Sequence, residues 1–212
     1  WTALFALLTL LPAAISAQEL RGHGGPVRAV AVAPDGRRAL TGSFDQSAIL
    51  WNLGAGSAEA VLRFHQGAIN AAVAIKGIGF ATGGEDGKIA LWQGAAAEPA
   101  KVFDGHRGQV AALALSPDGT RLVFVRRPGA GGPPTMVLEP RHQPWSLWVA
   151  DASTGQGHQL WTAPETLRGS FPTTDGNANL HWAARGRIVF LSYQDGWPHL
   201  YSIAEQGGEP LL

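Results

Sequence analysis

Between residues 27 and 64 apolar side chains recur in short alternating runs: VRAVAVA at 27 to 33, RALTGS at 38 to 43, AILWNL at 48 to 53 and AEAVLRF at 58 to 64. A period of two puts successive side chains on opposite faces of an extended chain, so each run predicts a half-buried β-strand. The first two runs are separated by Pro34-Asp35-Gly36. Proline presets φ and glycine supplies a positive φ, which makes this a tight turn. Four short strands thus fill a unit of about 41 residues.

The unit recurs. His23, His65 and His106 are separated by 42 and 41 residues, and Asp45 to Asp86 and Trp51 to Trp92 are both 41. Within each unit the aspartate precedes the tryptophan by six, and Val27 to Pro34 and Val110 to Pro117 are both seven, each opening a Pro-Asp-Gly turn. A period of this size marks a repeat architecture. A four-stranded twisted sheet with two apolar faces needs neighbours to cover it. The expected fold is therefore all-β, a β-propeller of four-stranded antiparallel blades. The chain accommodates about four blades, roughly 27 to 64, 69 to 103, 110 to 161 and 178 to 212, with an extra strand at 18 to 21. Such a set would form an open or incomplete ring, whose uncovered end faces invite self-association.

The units resemble the WD-repeat family through Gly22-His23, Pro34-Asp35-Gly36, Thr41-Gly42-Ser43, Asp45 and Trp51-Asn52. The second unit repeats the pattern as Phe64-His65, Thr82-Gly83-Gly84, Asp86-Gly87 and Leu91-Trp92-Gln93, and a third begins with Gly105-His106 and Ser116-Pro117-Asp118-Gly119. The resemblance covers roughly residues 18 to 125. It implies a buried hydrogen-bonded tetrad of His23, Ser43, Asp45 and Trp51. Gly84 in place of a serine then leaves the tetrad complete only in the first unit, and Asn52 and Gln93 replace the closing aspartate of each Trp-Asp pair.

After residue 119 the pattern changes. RLVFVRR runs into GAGGPPTMVLEPRHQP, with three Gly and four Pro in sixteen residues, before strand texture returns at 146 to 151, 157 to 163, 179 to 184, 187 to 193 and 199 to 205. Ser146 to Asp151, Arg187 to Ser192 and Gln194 to Tyr201 resemble the propellers of prolyl oligopeptidase-type and dipeptidyl aminopeptidase-type serine peptidases and of the Tol system. The expected organisation is thus 1–17, an export signal; 18–119, WD-like blades; and 120–212, peptidase-propeller-like blades with a Gly/Pro-rich loop at 128–144. Either a chimera or fragment joined near Ser116 to Gly119, or one divergent propeller, accounts for the change.

The export signal is read from WTALFALLTLLPAAISA at 1 to 17, an uncharged apolar run with small residues Ala14, Ser16 and Ala17 ahead of Gln18-Glu19. Pro12 interrupts it, and it is barely long enough to span about 30 Å of hydrocarbon, so cleavage is expected over stable membrane insertion. The run lacks a Met and a basic leading segment, so its true start is expected upstream. The implied compartment is the bacterial periplasm or the extracellular space.

Composition narrows the chemistry. The 212 residues carry 16 basic and 16 acidic side chains, with 45% hydrophobic and 15% charged residues, which excludes a disordered chain and an electrostatic nucleic-acid binder. Zero cysteines exclude disulfides, thiolate zinc sites, c-type haem attachment and cysteine nucleophiles. No GxSxG occurs, so residues 1 to 212 hold no peptidase nucleophile elbow. The repeated histidines fall on successive blades and the others lack carboxylates at ligand spacing, so no metal and no cofactor are expected. Gly83 to Lys88 lacks the first glycine and the hydroxyl of a phosphate loop and reads as a hairpin.

Without a catalytic motif the expected function is a non-catalytic, exported protein-binding scaffold. The alternative is the substrate-gating propeller of a peptidase whose catalytic domain lies elsewhere. The WD resemblance places Phe44 and Glu85, with Arg28 and Asn70 beside them, on one face of the disc next to its axis. Gln194 is the nearest equivalent in the second half. This face is the expected site for a protein or peptide partner, although Phe44 packed between blades is the competing reading. Core packing is the default for the tryptophans and phenylalanines, and Trp145 and Trp197, beside prolines at loop edges, are the better candidates for exposed contact.

Overall fold

The structure, a computed structural model, describes residues 19–104, 108–128, 141–172 and 179–212. The apolar run at 1–17, His106 and most of the 128–144 loop lie outside the described residues.

Among the described residues all regular structure is β apart from one 3-10 turn at Ala184–Gly186. The first sheet holds β1 (Val27–Val32), β2 (Arg38–Ser43), β3 (Ser47–Asn52) and β4 (Ser57–Arg63) in that order. The second holds β5 (Ile69–Ile75), β6 (Gly79–Gly84), β7 (Ile89–Trp92) and β8 (Lys101–Phe103). The third holds β9 (Val110–Leu115), β10 (Arg121–Arg126), β11 (Ser146–Asp151) and β12 (Gly157–Thr162). The fourth holds three strands, β13 (His181–Ala183), β14 (Arg187–Ser192) and β15 (His199–Ala204), and a single antiparallel bridge joins Ser202 to Leu211 on its outer edge. All pairings are antiparallel between sequence neighbours, the meander of a propeller blade. The third sheet crosses the residue at which the sequence pattern changes, with β9 before it and β10 to β12 after it.

The sheets follow one another through their first strands: β1 lies against β5, β5 against β9, and β9 against β13. That succession puts the first strand of each blade at the axis and the last at the rim. Cross-strand partners share a face, so Ala31, Leu40, Leu50, Ala48 and Leu62 form the face of the first sheet that packs on Ile69, Phe80, Ala90 and Trp92 of the second. Ala81, Leu91 and Ile89 on the opposite face of the second sheet meet Val110, Leu113, Leu122 and Phe124 of the third.

The seam between the third and fourth sheets is built differently. Trp145, Trp161, Phe171, Phe190 and Tyr201 form an aromatic cluster there, with Trp145 at the centre of three edge-to-face contacts at 5.1 to 5.8 Å. Trp145 is 1% exposed and donates its indole N–H to the Gly169 carbonyl at 3.1 Å, contrary to its expected place at an exposed loop edge. Trp197, by contrast, is 71% exposed.

The end faces are less covered. Val30, Val32 and Val61 share the outer face of the first sheet and are exposed, as Leu200 is on the fourth. Leu20 and Leu53 cover only the Ala39, Ile49 and Trp51 part of the first of these faces.

Candidate functional site

Two blades carry the same buried polar relay. In the first, Trp51 Nε1–H donates to Thr41 Oγ1 at 2.8 Å, Thr41 Oγ1 lies 2.7 Å from His23 Nε2, and His23 Nδ1 lies 3.0 Å from Asp45 Oδ2. The consistent arrangement has the Thr41 hydroxyl donating to Nε2 and the Nδ1–H donating to the carboxylate, so every donor in the line has an acceptor. In the second, Trp92, Thr82, His65 and Asp86 repeat it at 2.9, 2.8 and 3.0 Å. Thr82 and Trp92 are essentially inaccessible and His65 nearly so.

Two sequence expectations are therefore corrected. The hydroxyl in the relay is Thr41, not Ser43, and the second blade is complete despite Gly84. The strand register explains why. Trp51 lies opposite Ala39, two residues from Thr41 and four from Ser43. At about 3.3 Å per residue, Ser43 lies about 13 Å along the strand from Ala39 and about 7 Å beyond Thr41, the residue whose hydroxyl the indole reaches. Ser43 is fully buried but serves the loop, donating to the Gly25 carbonyl at 3.0 Å and accepting from the Asp45 amide at 3.2 Å. Gly84 occupies its place in the second blade, and a Cβ there would lie 2.6 Å from His65 Nδ1 and 2.7 Å from Asp86 Oδ1.

Each relay aspartate also ties down the loop that precedes its blade. Asp45 accepts from the Gly24 amide at 2.7 Å, the Ser47 amide at 2.9 Å and the Ser47 hydroxyl at 2.6 Å. Burial pushes the Asp45 carboxyl up, but the Ser47 hydroxyl, the Ser47 and Gly24 amides and His23 outweigh it and hold the group far below the usual carboxylate range. Asp86 is likewise pushed up by burial and brought below its ordinary value by His65 and by the Lys88 and Gln66 amides.

Among the described residues the third sheet shows no such relay. By register Arg121 pairs with Asp151 as Arg38 pairs with Asn52, which puts Phe124 where Thr41 stands and Ala150 where Trp51 stands. With apolar side chains at both places, neither holds a polar group that needs the other as a partner. The fourth sheet uses a shorter link: Asp195 lies 2.6 Å from His199 Nδ1 and accepts from the Tyr201 hydroxyl, and Tyr201, pushed up by burial and by that carboxylate, stacks on Phe190.

The disc face defined by the turns after β2 and β6 carries the expected binding residues. Phe44 is 45% exposed, with the Arg28 guanidinium 5.0 Å over its ring. It is not packed between blades. Arg28 is exposed as well, and β1 pairs irregularly between Val27 and Ala29. Glu85 is exposed but its carboxylate accepts from the Ala68 amide at 3.3 Å. Asn70 is half-buried and donates across the seam to the Val110 carbonyl at 3.3 Å, a bond that joins two blades. Gln194 sits in the turn closed by the Gly196 amide on the Tyr193 carbonyl at 2.7 Å, in the fourth sheet and apart from the Arg28–Phe44 pair. Of the five, the structure brings Arg28 and Phe44 into contact. Among the described residues no group of three or more His, Asp or Glu could hold a metal ion.

With this geometry in view, the family description "WD domain, G-beta repeat" matches residues 15–52 and 97–124. The chain is 29% identical over 170 residues, 68% of its length, to telomerase protein component 1 of Rattus norvegicus, of which it covers 6%. It is 24% identical over 190 residues, 84% of its length, to the guanine nucleotide-binding protein subunit beta of Oryza sativa subsp. indica, of which it covers 44%. The chain therefore spans less than half of either relative. The fold is that of a β-propeller segment of four successive blades, and over the matched residues the chain is similar to WD-repeat proteins.

Proposed function

We propose that this chain is a non-catalytic scaffold that recognises a protein partner through the disc face bearing Phe44 and Arg28. The observation that carries the reading is the exposed Phe44 ring, 45% accessible at the tip of a turn and held by Arg28 at 5.0 Å. A large ring kept in solvent gains nothing for folding, whereas an aromatic paired with Arg is the composition of an interface anchor. The relays behind it serve a rigid frame, the first part-buried on the outer face of its sheet and the second buried. A photo-crosslinking phenylalanine analogue at position 44 tests the reading. It is expected to capture a protein covalently, and no capture from position 44, with capture from the same analogue placed at Val61 on the outer face of the first sheet, would refute it.

Two finer readings go with it. The apolar run at 1–17 supports export to the periplasm or outside the cell, checked by the N-terminus of the mature protein. The phrases at 187 to 201 support the alternative of a substrate-gating propeller, checked by searching for a longer product that reaches a GxSxG sequence. The exposed valines of the first sheet and Leu200 of the fourth support self-association, read by sedimentation over a range of concentrations.

A further inference from the structure

Phe44 and Glu85 stand six residues after Arg38 and Gly79, the first residues of β2 and β6, and in the third sheet the place of Phe44 is taken by Arg127. Arg126, the last residue of β10, precedes it and pairs with Ser146 of β11 and Val110 of β9. The two arginines therefore stand on the same disc face as the Arg28–Phe44 pair, one blade beyond Glu85.

Both guanidiniums are set on aromatic rings, Arg126 at 4.4 Å over Trp148 and Arg127 at 4.6 Å over Phe171. Stacking fixes the position of each group and leaves its N–H edges available. Arg127 has one side-chain partner among the described residues, the neutral Gln143 Oε1 at 3.5 Å. Among the described residues Arg21, Arg38 and Arg121 form ion pairs with glutamates, and neither Arg126 nor Arg127 does. Burial lowers the pKa of both, so each has given up hydration without a described carboxylate in return. Between them and the start of β11 opens a cleft of about 320 Å³, whose walls include Pro128, Pro144, Ser146, Gln159 and Thr162.

We propose that this cleft binds a carboxylate presented by an acidic peptide segment of a protein partner, with Arg126 and Arg127 as its two anchors. The inference rests on the recognition reading above and names the chemistry of what is recognised. Two adjacent planar forks match the two oxygens of a carboxylate, and the proline walls suit the flanking peptide. A nucleic acid or an anionic membrane would need a continuing basic track. The neighbouring blades instead present Glu85 and Gln194 on this face.

Calorimetric titration of the full chain with synthetic peptides tests it. The probes are a decapeptide rich in Asp and Glu with a free C-terminus, the same peptide amidated, its Asn/Gln counterpart amidated, and a phosphoserine version of that counterpart. The acidic peptides should bind at least tenfold more tightly than the neutral one. Loss on amidation assigns the carboxylate to the C-terminus, and retention assigns it to side chains. Arg126→Gln and Arg127→Gln should each weaken binding about tenfold, and Val61→Ala, exposed on the outer face of the first sheet, should leave it within about threefold. If either glutamine variant fails to fold, the Arg126→Lys/Arg127→Lys double variant replaces it, and it should still bind several-fold more weakly because the planar fork is gone. Equal binding of acidic and neutral peptides, undiminished binding in folded arginine variants, or a phosphoserine peptide bound tenfold more tightly than the acidic one would overturn the proposal. Should no peptide bind, the cleft proposal fails alone, because crosslinking from position 44 judges the scaffold reading separately.

Discussion

Gly42 and Ile69 meet across the seam between the first two blades so closely that a methyl group on Gly42 would lie 2.4 Å from Ile69 Cγ2. The next seam repeats the relationship, since a Cβ on Gly83 would lie 2.5 Å from Val110 Cγ1. Each glycine lets the β-branched first-strand residue of the following blade seat against the sheet. The glycine beside the relay threonine is thus the joint that stacks one blade on another.

Gly42→Ala should destabilise the chain by about 1 to 3 kcal/mol through overpacking, read as a fall in denaturant midpoint. Ile69→Ala removes the colliding methyl, so the double variant should be less unstable than the two single losses summed. Strict additivity would show that the two residues do not share a seam.

Thr82→Val keeps the shape of the side chain and removes the hydroxyl shared by Trp92 and His65. Each buried group left unpaired costs about 1 to 3 kcal/mol, so the loss should exceed that of Ser43→Ala, while Thr82→Ser should stay close to the parent. Thermal unfolding ranks the three. Gly84→Ser should also destabilise, because its Cβ would collide with His65 and Asp86 and complete no relay.

Acid should loosen the fold through its aspartates. Asp45 and Asp86 lie below the ordinary value in the folded chain, and Asp118 and Asp151, held by hydroxyls and amides of their own turns, are brought down to about 2. Because the folded values are depressed, the unfolded chain binds protons first as pH falls. The stabilisation is present above pH about 4 and is lost as pH drops through the folded values. Chemical-denaturation midpoints should therefore be flat from pH 7 to about 5 and fall below 4. Asp45→Asn should start lower and fall less steeply.

The repeat, the all-β fold and the propeller blades were legible because landmarks 41 residues apart survive translation into structure. His23, Asp45 and Trp51 were legible as relay members through the resemblance of the repeat to WD units. Thr41 was not singled out, because choosing between two hydroxyls on one strand requires the register of the next strand. The signal was nevertheless present: Thr41 precedes Trp51 by ten, and Thr82 precedes Trp92 by ten. Trp145 was misplaced because a neighbouring proline marks a bend without saying which way the side chain turns. The Arg126–Arg127 cleft was invisible, since its rings come from β11 and from Phe171 far along the chain.

Phe44 and Asp45 are adjacent in the chain and have opposite tasks, which makes them the sharpest comparison. Partner capture and melting temperature should be measured side by side for Phe44→Ala and Asp45→Ala. Phe44→Ala should weaken capture while stability stays within about 0.5 to 1 kcal/mol, and Asp45→Ala should lower stability by about 1 to 3 kcal/mol without selectively abolishing capture. Unfolding by Phe44→Ala, or loss of capture at unchanged melting temperature in Asp45→Ala, would contradict a rigid relay-braced frame that presents its partner surface on this face.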